Sequence, residues 1–398
     1  MQTQDKTKQK TRLKSAVRVI VMGLVGLGVG YWAGKHIHNI GLLHTLAPEG
    51  AGQKVLFIAL ALFAIWLAIA LHELGHLLAG LLQGFRLALY TAGFLGVRGT
   101  EKGAKLFFNS DINFLGGLAA TFPEQVGSGP ELRRKFAWII AAGPLASLVA
   151  GVIGIAGGWL LLQQTHTPVT LAEMAGLALL FITGFMSALL FLVTSLPLPS
   201  RGFMTDGARF LSLMNGGEKG LREEAGLAVM ALMGAGKLPG EYPAEMLDRL
   251  TTLPADSLLG LNGHYTAFLH HLDRGEVVRA LPFALTIEAN ITAVPVGAFR
   301  RYYLKDLAFF YAFLVKDAEK ARAIWADIEK GTEKDRDAAG YRVKAAMALL
   351  DDQAPNASAF VEAGLQKLTE LPFQGQRRLE EKWLGAIREQ ARGIDKLQ

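Results

Sequence analysis

A chain of 398 residues that is 51% hydrophobic and 19% charged, with a formal net charge of +6 and a mean hydropathy of +0.28, is too apolar for an ordinary soluble protein. It is also too charged for one that lies wholly in lipid. With no cysteine in the chain, disulfides and thiolate metal sites are excluded, and any bound zinc must use His, Asp or Glu. The basic residues gather at the edges of apolar stretches, where they read as a topology signal and not as a nucleic-acid surface.

Residues 1–18 carry Lys6, Lys8, Lys10, Arg12, Lys14 and Arg18 against Asp5 and read as a basic cytosolic N-terminus. A first apolar span follows at 19–33, with Gly26 and Gly30 at G-x-x-x-G spacing, which lets helices pack closely in lipid. Near Tyr31-Trp32-Ala33 there is no clear A-x-A cleavage site, so this span reads as a retained anchor and not a signal peptide. The loop 34–54 holds His36, His38 and His44, read as interfacial histidines without a ligand role.

The second span, 55–83, holds Leu71-His72-Glu73-Leu74-Gly75-His76, an H-E-x-x-H motif. Histidines four residues apart share one helix face about one turn apart, so both imidazoles can take one Zn²⁺ and the adjacent glutamate can reach a metal-bound water. Val55 to Leu71 has no charge, so the helix is apolar all round, as a membrane span is. Ionisable groups at bilayer depth read by default as functional. At 1.5 Å per residue His72 lies roughly 26 Å beyond Val55, toward the cytosolic end of a core about 30 Å thick.

Residues 84–136 carry Arg86, Arg98, Lys102, Lys105, Arg133, Arg134 and Lys135 and belong in the cytosol by the positive-inside rule. Phe85–Val97 and Lys105–Asn109 are strand-like and flank a turn at Arg98–Ala104. The ribbon is read equally well as a structural hairpin or as an open edge for an extended peptide. The third span, Phe136–Leu162, has small residues at Gly143, Ala146, Ser147 and Gly151 for close helix contact, and Pro144 should loosen the turn before it. A fourth span, Met174–Leu196, ends in Leu196-Pro197-Leu198-Pro199, and Asp206-Gly207 follows. Two histidines need a third protein ligand beside an open position. Asp206 is the candidate in sequence order, although on spacing alone an exposed Asp-Gly turn is the better reading.

Together, HELGH in one span, AAGPLAS in the next and PLP…TDG after the last resemble the site-2 protease family of intramembrane zinc metalloproteases, over about residues 54–215. The resemblance implies His72, His76 and Asp206 as zinc ligands and Glu73 as catalytic base. Ser147 stands where the family often has asparagine, and the resemblance assigns that position to substrate positioning. Thr194-Ser195 likewise stand where the family commonly has an asparagine.

From Gly216 to the C-terminus the chain reads as a cytosolic, amphipathic α-helical domain with both signs of charge. A loose repeat of about 38 residues aligns Tyr265…Leu269…Gly275…Ala280 with Tyr303…Leu307…Lys316…Ala321 and Tyr341…Ala345…Ala359, similar to degenerate tetratricopeptide-type repeats. His270 and His271 read as packing or surface residues, and Asp351 and Asp352 as a solvated face. The expected whole is mainly α: a polytopic protein of the cytoplasmic membrane with about four spans, a small cytosolic β-hairpin, and both termini cytosolic. Its expected activity is zinc-dependent hydrolysis of membrane-anchored substrates near the cytosolic leaflet, with a protein partner for the helical domain and no nucleic acid. The departures at Ser147 and Thr194-Ser195 support a second reading, a membrane-anchored helical scaffold with a vestigial or structural metal site.

Overall fold

The computed structural model describes residues 50–111, 115–127, 129–164, 170–197, 204–294, 297–329 and 336–395. The basic N-terminus, the span at 19–33, His36, His38, His44 and the stretch 198–203 lie outside the described residues. The described chain is mainly helical with one small sheet. Three helices, α1 (Ala51–Leu82), α2 (Pro130–Gln164) and α3 (Leu171–Ser195), are long and apolar enough to cross a membrane. They take the places expected of the second, third and fourth spans. Helix α2 starts six residues before Phe136 because Pro130, which has no N–H to leave unpaired, opens its first turn, and Glu131 pairs with Lys135 at 3.0 Å one turn on.

Two compact units divide the chain. In the unit formed by residues up to Ala64 with Gly154–Ile182, Met174, Leu177 and Ala178 are buried against Phe57, Leu161 and Phe181. The second unit, Ile65–Ile153 with Thr183–Gln398, holds the sheet, His72 and His76, and the helical half.

The sheet is antiparallel, with strands β1 (Phe85–Ala92), β2 (Leu95–Thr100), β3 (Gly103–Phe108) and β4 (Leu118–Pro123) in the order β3-β2-β1-β4. The single strand expected over Phe85–Val97 is split by a turn at Gly93, which has φ +56°. A Cβ at Gly93 would also lie 2.8 Å from Trp66. The expected hairpin turn falls at Glu101-Lys102. Strand β4 has no counterpart among the expected strands: Leu118-Ala119-Ala120-Thr121-Phe122-Pro123 lacks period-2 alternation and ends in proline.

Strand β1 runs back along α1. The Tyr90 hydroxyl donates to the Ala70 carbonyl at 2.9 Å, and Trp66 Nε1 donates to the Ala92 carbonyl at 2.9 Å. The β1–β2 turn therefore sits beside Trp66, about 24 Å back along the helix from Leu82. Around it Phe94, Leu95, Leu106 and Phe108 are exposed, with the Phe94 and Phe108 rings stacked at 5.6 Å.

The helical half begins with α4 (Asp206–Asn215), α5 (Glu218–Gly234) and α6 (Ala244–Thr251). Helix α5 lies beyond Gly216, yet its Leu227 shares a core with Phe85, Phe136, Ile140 and Leu213. Three helical hairpins follow: α7 (Leu258–Asp273) with α8 (Val277–Asn290), α9 (Ala298–Phe309) with α10 (Ala318–Glu329), and α11 (Ala338–Leu350) with α12 (Ala354–Gln366); α13 (Gln374–Asp395) closes the set. Each hairpin turns at one left-handed residue, Gly275, Lys316 or Asp352. Five residues later each buries an alanine fully: Ala280, Ala321 and Ala357. This corrects the phase of the third repeat, because Ala359 is exposed and Ala357 is the equivalent position. His270 and His271 serve packing and local pairing, with Nδ1 on the Pro239 carbonyl and on Glu276, each at 2.8 Å.

The helical half also reaches the sheet near its C-terminal end. The Glu101 amide donates to the Thr369 carbonyl at 3.3 Å beside a Lys105–Glu370 ion pair, and the Phe122 and Phe373 rings lie 4.4 Å apart.

Candidate metal centre

The motif face of α1 meets α2 at a close crossing. A Cβ at Gly75 would lie 2.5 Å from the Ala142 carbonyl oxygen and 2.6 Å from Ala146 Cβ, so only glycine permits this approach. At Gly143 a Cβ would lie 2.2 Å from His76 Nε2; the missing side chain makes the space the ring fills. Small residues in the Ala-Ala-Gly-Pro-Leu-Ala-Ser run thus bring α2 onto the histidines.

Both rings are anchored through Nδ1. His76 Nδ1 donates to the Ile139 carbonyl at 2.8 Å, and His72 Nδ1 lies 2.8 Å from Ser147 Oγ. Each anchor turns Nε2 toward Asp206: the Asp206 Oδ2 atom is 3.2 Å from His72 Nε2 and 3.6 Å from His76 Nε2. Ser147 is fully buried with its hydroxyl on His72, so it stands behind a candidate ligand and not on a surface that a substrate would reach.

Asp206 arrives from the far side of α3. Thr205 caps α4 by accepting from the Ala208 amide at 3.4 Å, which puts Asp206 in the first turn, where a carboxylate is favoured. Gly207 explains the Asp-Gly pair: a Cβ there would lie 1.8 Å from the Ser195 carbonyl oxygen, so glycine alone lets α4 start against the end of α3. Helix α4 is held by α5, where the buried Glu223 accepts from Arg209 at 2.6 Å, and α5 is tied to α2, where Glu224 accepts from Arg133 at 2.8 Å.

His72, His76 and Asp206 offer one ligand atom each, all within 4.8 Å of one another. Ligand atoms about 2.1 Å from a tetrahedral ion stand about 3.4 Å apart, which the imidazole–carboxylate separations of 3.2 and 3.6 Å bracket. Two imidazole nitrogens, each with its other nitrogen held by an outer partner, and one carboxylate form a donor set that suits zinc. Glu73 is next in the chain, half-buried, with its carboxylate at the Ala119 amide on the outer strand β4. Gly117 leaves it room, since a Cβ there would lie 2.8 Å from Glu73 Oε1.

Sequence reasoning named the side chains that meet here and missed the backbone groups, Ile139 C=O and Ala119 N–H, which carry no residue-type signal. A readable sign was the spacing Ile139, Gly143, Ser147, one residue per turn along the α2 face that meets His76 and His72. Compared with known proteins, the chain matches no family model, no curated protein and no solved structure.

Proposed function

We propose that this chain is an intramembrane zinc metalloendopeptidase, similar to site-2 proteases, that hydrolyses membrane-anchored proteins near the cytosolic leaflet. The observation that carries the reading is the convergence of His72, His76 and Asp206 from two separate helices, beside Glu73 and on a helix apolar enough to span a bilayer. Zinc held by these three residues would supply Lewis acidity toward a scissile carbonyl and bring the pKa of a water toward about 7. The Glu73 carboxylate then takes the proton of the attacking water and delivers it to the leaving amine nitrogen. As ligands, His72 and His76 would each offer an imidazole nitrogen lone pair and Asp206 a carboxylate oxygen.

The basic residues just after α1 and at the α2 N-terminus, Arg86 and Arg133 to Lys135, support a cytosolic position for that end of the helices. His72 lies about 15 Å short of Leu82, inside the hydrocarbon region. A substrate helix must unwind there before its carbonyls can react, because they are otherwise committed to their own helix. Strand β4 is the outer strand on the side of Glu73, and an extended substrate segment pairing with it would lie beside the carboxylate. Phe94, Leu95, Leu106 and Phe108 would present the exposed end of the sheet to lipid.

The test is zinc content together with cleavage. Detergent-purified wild type and Glu73→Gln should each hold close to one zinc per chain, and only wild type should cut candidate membrane substrates. Equal cleavage by both would refute the mechanism. Zinc-free wild type, even after zinc is added back, would transfer weight to the scaffold reading.

A further inference from the structure

The two histidines are anchored by different kinds of partner. His76 rests on a main-chain carbonyl, which only accepts, so its Nδ1 carries the hydrogen and its Nε2 lone pair faces Asp206 whatever side chain occupies position 139. His72 rests on a side chain, the hydroxyl of Ser147 at 2.8 Å. This is the one ring anchor at the centre that a substitution removes. Ser147 is 0% exposed and His72 is 6% exposed, so solvent does not replace a lost hydroxyl there.

We infer that Ser147 is a positioning residue: its hydroxyl holds the His72 ring with Nε2 toward Asp206 and thereby sets how tightly the centre holds a divalent metal. The inference rests on the metal-centre reading above and adds that one ligand of the three is tunable. Ile139, Gly143 and Ser147 lie at i, i+4 and i+8 on α2 and supply in turn a fixed acceptor, an empty space and a replaceable hydroxyl opposite His76 and His72. Outer partners of metal-ligating histidines fix ring orientation, and their loss typically weakens metal binding by about 10–100-fold.

The comparison that isolates the hydroxyl is Ser147→Thr against Ser147→Val, because those side chains have nearly the same shape and differ in the group that bonds His72. Any overpacking from the added methyl is common to both. Ser187→Ala is the control: Ser187 is also a fully buried hydroxyl on a long apolar helix, but its Oγ has no hydrogen-bond partner among the described residues. Full-length protein in detergent is titrated with Co²⁺, read by its visible d–d absorption, and with Zn²⁺ in competition with a chromophoric chelator.

The expected result is about one metal per wild-type chain, affinity at least about tenfold weaker in Ser147→Val than in Ser147→Thr, a shifted Co²⁺ band in Ser147→Val, and wild-type behaviour in Ser187→Ala. Equal affinities and spectra for Ser147→Thr and Ser147→Val, with wild type binding one metal, would overturn the role of Ser147 and leave the metal centre standing. A wild type that binds no Co²⁺ or Zn²⁺ would overturn both.

Discussion

Arg342 in the helical half and the histidine pair of α1 are both polar groups buried in an apolar surround, and they are built on opposite plans. Arg342 is 0% exposed, donates to Glu380 at 2.8 and 3.2 Å and to Asp306, and lies between the Phe309 and Trp383 rings at 4.4 and 4.5 Å. Tyr265 donates to Asp306 as well. Here the cation is supplied by the chain and enclosed by its own partners. At His72, His76 and Asp206 the anchors use up Nδ1 of each ring, and what remains is two Nε2 atoms and a carboxylate facing one place with Glu73 beside them. Burial of charge is common to both clusters; the source of the balancing cation distinguishes a structural knot from a candidate metal centre.

The largest contrast should come from Asp206→Ala. Removing a ligand should weaken Zn²⁺ binding by more than about a hundredfold, beyond the loss from an outer partner, while the thermal midpoint of the metal-free chain changes little. Arg342→Ala should do the reverse. It leaves two carboxylates buried without their guanidinium, at a cost of about 3–5 kcal/mol in unfolding experiments, with zinc per folded chain unchanged. If Arg342→Ala lost zinc as fully as Asp206→Ala, the two clusters would not be independent and the contrast would fail.

Gly143→Ala sharpens the comparison on the metal side. Its Cβ would meet the His76 ring at 2.2 Å, so overpacking of about 1–3 kcal/mol should appear together with weaker zinc binding. A variant that is destabilised but binds zinc as wild type does would show that His76 does not need this space to ligate.

The smallest effect is a pH dependence within the helical half. One guanidinium serves two carboxylates there, and burial raises the Glu380 carboxyl to about 6 although Arg342 opposes the shift. An acid raised above its unfolded value of 4.5 binds a proton more readily in the folded state. Its contribution is therefore fully present below about pH 4.5 and is lost as pH rises through about 6. The stability difference between wild type and Glu380→Gln should consequently shift in favour of wild type as pH falls from 7.5 to 4.5, by at most about 2 kcal/mol. A difference that stays flat across that window would show that Arg342 keeps Glu380 at its ordinary value.

Much of the fold was legible because its signals are local. Long uncharged runs mark α1, α2 and α3 by composition, and the Arg98–Ala104 turn between strand-like runs marks the β2–β3 hairpin. What escaped has no local signal. Strand β4 is short, has small residues and no alternation, and exists because β1 offers it a ladder. The third repeat was placed two residues late because Ala357 and Ala359 are the same residue type, and only packing shows which of them is enclosed.

For the site, the sequence by itself determined the candidate donors. H-E-x-x-H on a helix forces His72 and His76 onto one face, and a chain without cysteine leaves His, Asp or Glu for the third ligand, with Asp206 the candidate in sequence order. Whether Asp206 was that acid or an exposed turn was open on spacing, and the tertiary structure decided its place: Gly207 against the Ser195 carbonyl starts α4 where the Asp206 carboxylate meets both rings. The place of Ser147 was decided the same way, by the helix crossing that puts its hydroxyl on His72. Helical periodicity fixes how residues four apart are related, but the distance between residues more than a hundred apart is set by how closely the helices between them pack. In this chain that closeness depends on the absent side chains of Gly75, Gly143 and Gly207.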